Sequence, residues 1–228
     1  GNPFFIEQLV SYLKENNKIT ENGEILSGLD TSTSFSINDI IGSRIDRLTE
    51  NVRECAANAS VLGMEFNLKV LSEMLKNPLS VEISVGYNNR IWEDVDELRY
   101  IFSHILIRDV IYNRMMSERL KKLHKIAAQA MEKTFSNNLD LYAEEIALHY
   151  ERANMYEEAL TFFNEAGYWH KELYHFSEAE RNFKKALEII EKNVVRDKTS
   201  VIEANEGLAS LYYKQARYEE SELLHRRI

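Results

Sequence analysis

The sequence predicts a mostly α protein in two parts: a helical domain carrying a short β-hairpin, then an array of helical-hairpin repeats. Three observations lead there. Only two prolines and eight glycines occur in 228 residues, so little interrupts a chain rich in the helix formers Glu, Leu, Ala and Lys. Apolar residues recur every three or four positions over most of the length, which is the period of one helix face. The C-terminal third also repeats one spacing of small and aromatic residues.

The first element is "GNPFFIEQLVSYL". Pro3 has a fixed φ and no N–H, which suits the first turn of a helix, and Asn2 can cap it. Phe5, Leu9, Tyr12 and Leu13 then form an apolar stripe. Chain termini are usually frayed and polar, so the sequence is expected to be part of a longer protein, cut at both ends. "ENNKITENGEILSGLDTSTSFS" reads as a loop or linker. From Ile37, "INDIIGSRIDRL" puts Ile37, Ile40, Ile41, Ile45 and Leu48 on one face. "TENVRECAANASVLG" follows, with Thr49 as cap and Gly63 as stop. Its small residues Ala56, Ala57, Ala59 and Ser60 allow a neighbouring helix to come close. "NLKVLSEMLKNP" is a short helix ended by Pro78.

Residues 79–97 are ambiguous, because the period of "PLSVEISVGYNN" fits neither helix nor strand decisively. "RIWEDVDELRYIF" reads as a hairpin with an acidic turn, followed by Tyr100 and Phe102. Three helices and a hairpin make a winged-helix-like arrangement. Two amphipathic helices follow, "SHILIRDVIYNRMM" and "SERLKKLHKIAAQAMEKTF".

The final third holds three matching frames. Ala147, Tyr150, Ala159, Phe163 and Ala166 are spaced by three, nine, four and three residues. Gly167, His170, Ala179, Phe183 and Ala186 repeat those spacings, and Ala209, Tyr212, Ser221, His225 and Ile228 repeat them again. Physically, a small residue and an aromatic on one helix face the same pair on the next. The pattern resembles tetratricopeptide repeats, whose usual period is about 34 residues. Here the frames are offset by 20 (147 to 167) and 42 (167 to 209). The first offset implies one helix, roughly 157–174, serving two neighbours; the second implies a longer loop around "EKNVVRDKTS".

Composition narrows the function. A single cysteine, Cys55, excludes a disulfide framework and a Cys-based zinc site and fits a reducing, cytoplasmic setting. No apolar run approaches the ~20 residues of a membrane span, and no signal peptide is expected. The net charge of −9 argues against general nucleic-acid affinity. Residues 1–34 carry two basic and five acidic side chains, 35–135 fourteen of each, and 136–228 twelve against eighteen. The differing charge character suggests two modules, and with the helical patterns above the chain divides into 1–34, a first helix plus linker; 35–135, a winged-helix-like domain with linker helices; and 136–228, the repeats.

The order of these pieces resembles the STAND class of AAA-type signal-transduction ATPases, found in bacteria linked to cyclases, kinases or transcription regulators. "GNPFFIEQL" is similar to the Gly-x-Pro element that closes the nucleotide-binding module. "IIGSRIDRLTENVRECAANASVLGMEF" is similar to the winged-helix entry, and "YIFSHILIRDVIYNRMMSERLKKLH" to the phrase that leaves the wing. "ALHYERANMYEEAL" opens the repeats. By resemblance, Pro3 packs against the adenine of a nucleotide held by the upstream module, and His104 reaches its phosphates to hold an ADP-bound closed state. The phosphate-cradling signature Gly-x-x-x-x-Gly-Lys-Ser/Thr is absent, so no cofactor is expected in this segment and ATP or ADP belongs to the whole protein. The expected function is a non-catalytic regulatory and interaction segment. Its partners would be its own upstream module and a protein, peptide or small effector in the repeat groove, with homo-oligomer assembly as a further expectation. The alternative is a winged-helix DNA-binding transcriptional regulator with a repeat sensor. That alternative needs a basic recognition helix, and "NLKVLSEMLKN" offers Lys69 and Lys76 beside Glu73.

Other constellations carry less. Glu172 with His175, and Glu222 with His225, have the Glu-x-x-His spacing of carboxylate-bridged metal bundles, but the chain's Glu content yields such pairs by chance. Cys55 lies in an Ala-rich helix and is expected to be buried and inert. Asn58-Ala59-Ser60 matches the glycosylation pattern but falls mid-helix. Arg114, Arg119, Lys121, Lys122 and Lys125 form the main basic cluster and read as a solvated face.

Overall fold

The computed structural model describes residues 3–15, 18–20, 36–192 and 198–226. Asn2, most of the N-terminal loop, residues 193–197 and Ile228 lie outside the described residues. The chain is mostly α-helical, with a small three-stranded sheet and a helical-repeat array. It forms two compact units, Gly1–Leu68 with Leu75–Met115, and Lys69–Met74 with Met116–Ile228.

The first unit begins with α1 (Pro3–Glu15) and α2 (Ile37–Asp46). The Ser36 hydroxyl caps α2 by accepting the Asn38 N–H at 3.2 Å, and Ile40, Ile41 and Ile45 form its buried face. In α3 (Glu50–Leu62), Ala56, Ala57, Ala59 and Ser60 are all buried. These small side chains let α5 (Ser80–Asn88) and α6 (Ile105–Asn113) pack against the helix, and Arg108 of α6 donates to the Ser60 carbonyl at 2.8 Å. Thr49 stands at the N-cap of α3 but makes no side-chain cap bond, whereas Gly63 ends the helix with a φ of 132°, a conformation that favours glycine.

The ambiguous stretch is a helix, α5. Its apolar residues are spread around the axis, with Ile83 buried and Val81 and Tyr87 exposed, so no face period shows in the sequence. What fixes it is Gly86. A Cβ there would lie 2.0 Å from the Trp92 ring, so the helix can approach the indole only through glycine. Trp92 is fully buried, and its Nε1–H donates to the Ile83 carbonyl at 3.0 Å.

Trp92 opens the hairpin of β2 (Trp92–Asp94) and β3 (Arg99–Phe102), as the sequence leads one to expect. A third strand, β1 (Glu65–Asn67), pairs antiparallel with the other side of β3, giving the order β1-β3-β2. Phe66, Trp92 and Phe102 pack their rings edge-to-face or tilted on one face, with centroids 5.6 to 6.1 Å apart. At the tip, the Asp96 carboxylate accepts the N–H groups of Leu98 and Arg99, both at 2.9 Å, and pairs with the Arg99 guanidinium. These bonds, that to Leu98 foremost, hold the Asp96 carboxyl below its ordinary range.

The second unit takes in most of α4 (Leu68–Leu75) and then α7 (Ser117–Thr134), α8 (Leu139–Arg152), α9 (Tyr156–Glu172), α10 (Phe176–Lys192), α11 (Lys198–Lys214) and α12 (Tyr218–His225). Lys133 of α7 bonds both carboxylate oxygens of Glu73 on α4 at 2.9 Å. From α7 onward each helix packs on the next, and α9 also packs on α11.

One turn is built three times in this array. Asn154, Tyr174 and Ala216 take φ values of 61°, 60° and 61° between their helices. Beside them the same 6→1 bond recurs: Met155 N–H to Tyr150, His175 N–H to His170, and Arg217 N–H to Tyr212, each 2.9 Å. This is the Schellman geometry, in which glycine is the usual left-handed residue. The turns stand 20 and 42 residues apart (154 to 174, 174 to 216), the offsets of the sequence frames. A left-handed alanine is strained by roughly 1–2 kcal/mol. Ala216→Gly is therefore expected to stabilise the chain by about 0.5–1 kcal/mol, net of glycine's greater freedom when unfolded. A thermal melt of this exposed variant checks it, and a lower midpoint would count against the turn geometry.

Candidate functional site

The frames set how closely the helices cross. Ala147, Tyr150, Ala159, Phe163, Ala166, Gly167, Ala179, Phe183, Ala186, Ala209, Tyr212 and Ser221 are all buried. Phe183 of α10 has almost no room: a Cβ on Gly167 of α9 would lie 2.6 Å from its ring, and one on Gly207 of α11 2.3 Å. Two glycines on two helices thus form its slot. In the third frame the Ser221 hydroxyl donates to the Ala209 carbonyl at 2.8 Å, joining the two small residues directly. The frame tyrosines also act alike, Tyr150 donating to Glu132 and Tyr212 to Glu180.

Where α9 meets α11, polar side chains line the seam. The Asn164 amide donates to the Ser200 carbonyl at 2.8 Å, and its buried Oδ1 has no hydrogen-bond partner. The Tyr168 hydroxyl donates to the Glu203 carbonyl at 3.1 Å. Lys171 is only 8% exposed. Its Nζ lies 3.4 Å from Ser210 Oγ and 4.5 Å from the centre of the Tyr168 ring. Burial, and then the neighbouring Lys214, push its pKa down, against a smaller upward pull from Glu172. The three α9 residues, at i, i+4 and i+7, share one helix face.

Two further polar clusters tie the array together. On α8, Glu144 receives Arg181 at 2.8 Å, Asn182 at 3.2 Å and His170 at 3.5 Å. Between α7 and α8, His124 and His149 are buried with their Nδ1 atoms 2.9 Å apart.

The nominated nucleotide residues lie in the first unit. Pro3 is exposed at the start of α1. His104 is the N-cap of α6, and its Nδ1 accepts the Leu106 N–H at 3.1 Å, which requires the imidazole proton on Nε2. The candidate metal pairs are not gathered into a site: His225 Nδ1 lies 2.9 Å from the Ser221 carbonyl and Glu222 pairs with Arg226. Among the described residues, no group of three His, Cys, Asp or Glu could hold a metal ion, and no helix is long and apolar enough to cross a membrane. The Cys55 thiol is buried in α3 and pushed up to about 12, first by burial and then by Glu82, so it is not a reactive thiolate at neutral pH. In the basic cluster, Arg114 bonds Asp46 and the Gly42 carbonyl, Lys121 pairs with Glu118, and Lys122 and Lys125 are exposed.

The Lys171 seam is not legible in the sequence. A lysine near a helix end reads as solvated by default, and only the 42-residue offset, which sets α11 beside α9, could have signalled otherwise.

The fold defines a mostly helical protein with a repeat-like array and a buried polar seam between α9 and α11. No family model matches the chain. It is 26% identical over 175 residues to an uncharacterized protein of Rhizobium meliloti (strain 1021), covering 73% of this chain and 17% of that protein. The chain thus spans well under half the length of this relative. It is also similar to the crystal structure of a Signal Transduction ATPase with Numerous Domains protein with a tetratricopeptide repeat sensor from Pyrococcus horikoshii. That similarity has a TM-score of 0.41 at 15% identity and covers 86% of this chain and 34% of that one.

Proposed function

We propose that this chain is a non-catalytic regulatory segment of a STAND-type signalling ATPase, in which the helical repeats receive a protein, peptide or small effector. The observation that carries the reading is the turn built three times at the offsets of the sequence frames. Stacked hairpins of this kind present an extended surface while burying a continuous core. The polar seam of Asn164, Tyr168 and Lys171 fixes α9 against α11 within the array that carries that surface. Effector binding would shift a two-state equilibrium of the whole protein, with nucleotide held upstream near Pro3 and His104. A DNA-reading role is less well supported. The hairpin carries Glu93, Asp94, Asp96 and Glu97 against Arg99, a charge balance that repels phosphates.

The test uses the protein with the residues upstream of Gly1, purified natively and then denatured, with released nucleotide identified by chromatography. Because His104 caps α6, His104→Asn preserves a cap while changing the group offered to a phosphate. ADP released by the wild type and lost in both His104→Ala and His104→Asn supports a nucleotide latch. Equal retention in all three reduces His104 to a helix cap, and no nucleotide in any of them sinks the ATPase reading.

A further inference from the structure

We propose that the groove between α5 and the β2–β3 hairpin docks an arginine-bearing segment of a partner protein. The groove has a volume of about 780 Å³ and lies wholly in the first unit. One wall is a single face of α5, on which Ser80, Ile83, Ser84 and Tyr87 stand at i, i+3, i+4 and i+7. The facing wall is the hairpin, with Asp94, Asp96, Glu97 and Tyr100. Asp94 is directly opposite Tyr100 in the β2–β3 register, so the carboxylate and the ring project from the same face of the sheet. Phe66 of β1 stacks against that ring with centroids 5.9 Å apart, which steadies it.

Charge selects the occupant. Three carboxylates line the groove and no cation does. Asp96 is engaged by Arg99 and by the N–H groups of the turn, whereas Asp94 and Glu97 pair with no cation among the described residues. The whole stretch 68–102 carries six carboxylates against four Lys and Arg side chains, so its own cations do not cancel that field. The groove is also apolar: Tyr87 is half exposed on α5, and Val95 and Leu98 are exposed at the hairpin tip. Its occupant must therefore bring a positive charge on an apolar stem. The chain's own arginines show how a tyrosine beside a carboxylate is filled. Arg217 lies 3.7 Å from the centre of the Tyr212 ring while bonding Glu180 at 3.1 Å. A planar guanidinium can stack on a ring and pair with a carboxylate through two N–H groups, which an ammonium cannot.

The test reads neither nucleotide nor the repeats. The 15N-labelled chain is titrated by NMR with a blocked pentapeptide, Val-Arg-Leu-Arg-Val. Peptides with Lys or Gln in place of Arg are run in parallel at matched ionic strength. The expected result is a saturable shift of α5 and hairpin amides with the Arg peptide, a weaker one with Lys and none with Gln. Asp94→Asn and Tyr87→Leu, both at exposed positions, should each raise the midpoint severalfold. Glu219→Gln, which removes the same charge from the exposed face of α12, should leave it unchanged. Equal weakening by Glu219→Gln would show a diffuse acidic field and overturn the site. Binding of the Gln peptide as tight as that of Arg, or no saturation, would overturn it as well. Sedimentation that shows a dimer of the free chain, lost in Asp94→Asn, would make a second copy the occupant and overturn the assignment to a partner protein.

Discussion

Phe183→Ala is expected to destabilise the repeat array by roughly 3–5 kcal/mol, the range for emptying a buried aromatic site. The ring is fully buried, held in a slot made by Gly167 and Gly207 and met edge-on by Tyr168 at 5.2 Å. The cost depends on how far the surroundings collapse. Collapse is resisted here, because Asn164 and Tyr168 bond carbonyls of α11 and fix the distance between α9 and α11. The upper part of the range is therefore expected, with a clear fall in the urea midpoint and little change in slope. Phe183→Leu, which keeps much of the volume, should lose less than half as much. A loss under about 1 kcal/mol for the alanine variant would show that the slot closes and that the two glycines do not define it.

The second large effect is on acid stability. Two imidazoles facing each other through Nδ1 hold one proton between them, since one must donate and the other accept. Burial foremost, then His124 and Arg152, pushes His149 down to about 3. An unfolded histidine takes up its proton near its ordinary value of 6.5. Between those two values the unfolded chain binds the extra proton and the folded chain does not, so stability rises with pH across the window. It is complete above 6.5 and falls as the pH drops toward 3, at up to about 1.4 kcal/mol per pH unit for this one group. Urea midpoints measured from pH 7 down to 4.5 should decline steadily, and His149→Gln should flatten that decline. A flat wild-type profile would mean that the pair takes up protons without disturbing the packing of α7 on α8.

The repeats were readable in the sequence because each frame is a local consequence of close crossing: small residues where backbones approach, aromatics where they part. Phe183 between Gly167 and Gly207 shows the same logic in space. The hairpin was readable from its acidic turn and flanking aromatics. By contrast, α5 was not, because apolar residues on several sides erase the period, and the deciding fact is that a Cβ at residue 86 would lie 2.0 Å from the Trp92 ring. Nor was β1, which is three residues long and defined only by pairing with β3 across 34 positions (Phe66 to Tyr100). The seam at Lys171 depends on a helix 39 residues further on (171 to 210), and no local pattern announces that a lysine will be buried.

Because α9 closes one hairpin with α8 and opens another with α10, the array has no clean seam for excision there. Removing either frame would take away a helix that the other requires. A repeat of the usual kind can be deleted, duplicated or exchanged as a cassette, and such proteins lengthen and shorten readily by recombination. Around α9 that freedom is lost, and residues 139–192 would be inherited or discarded as one block.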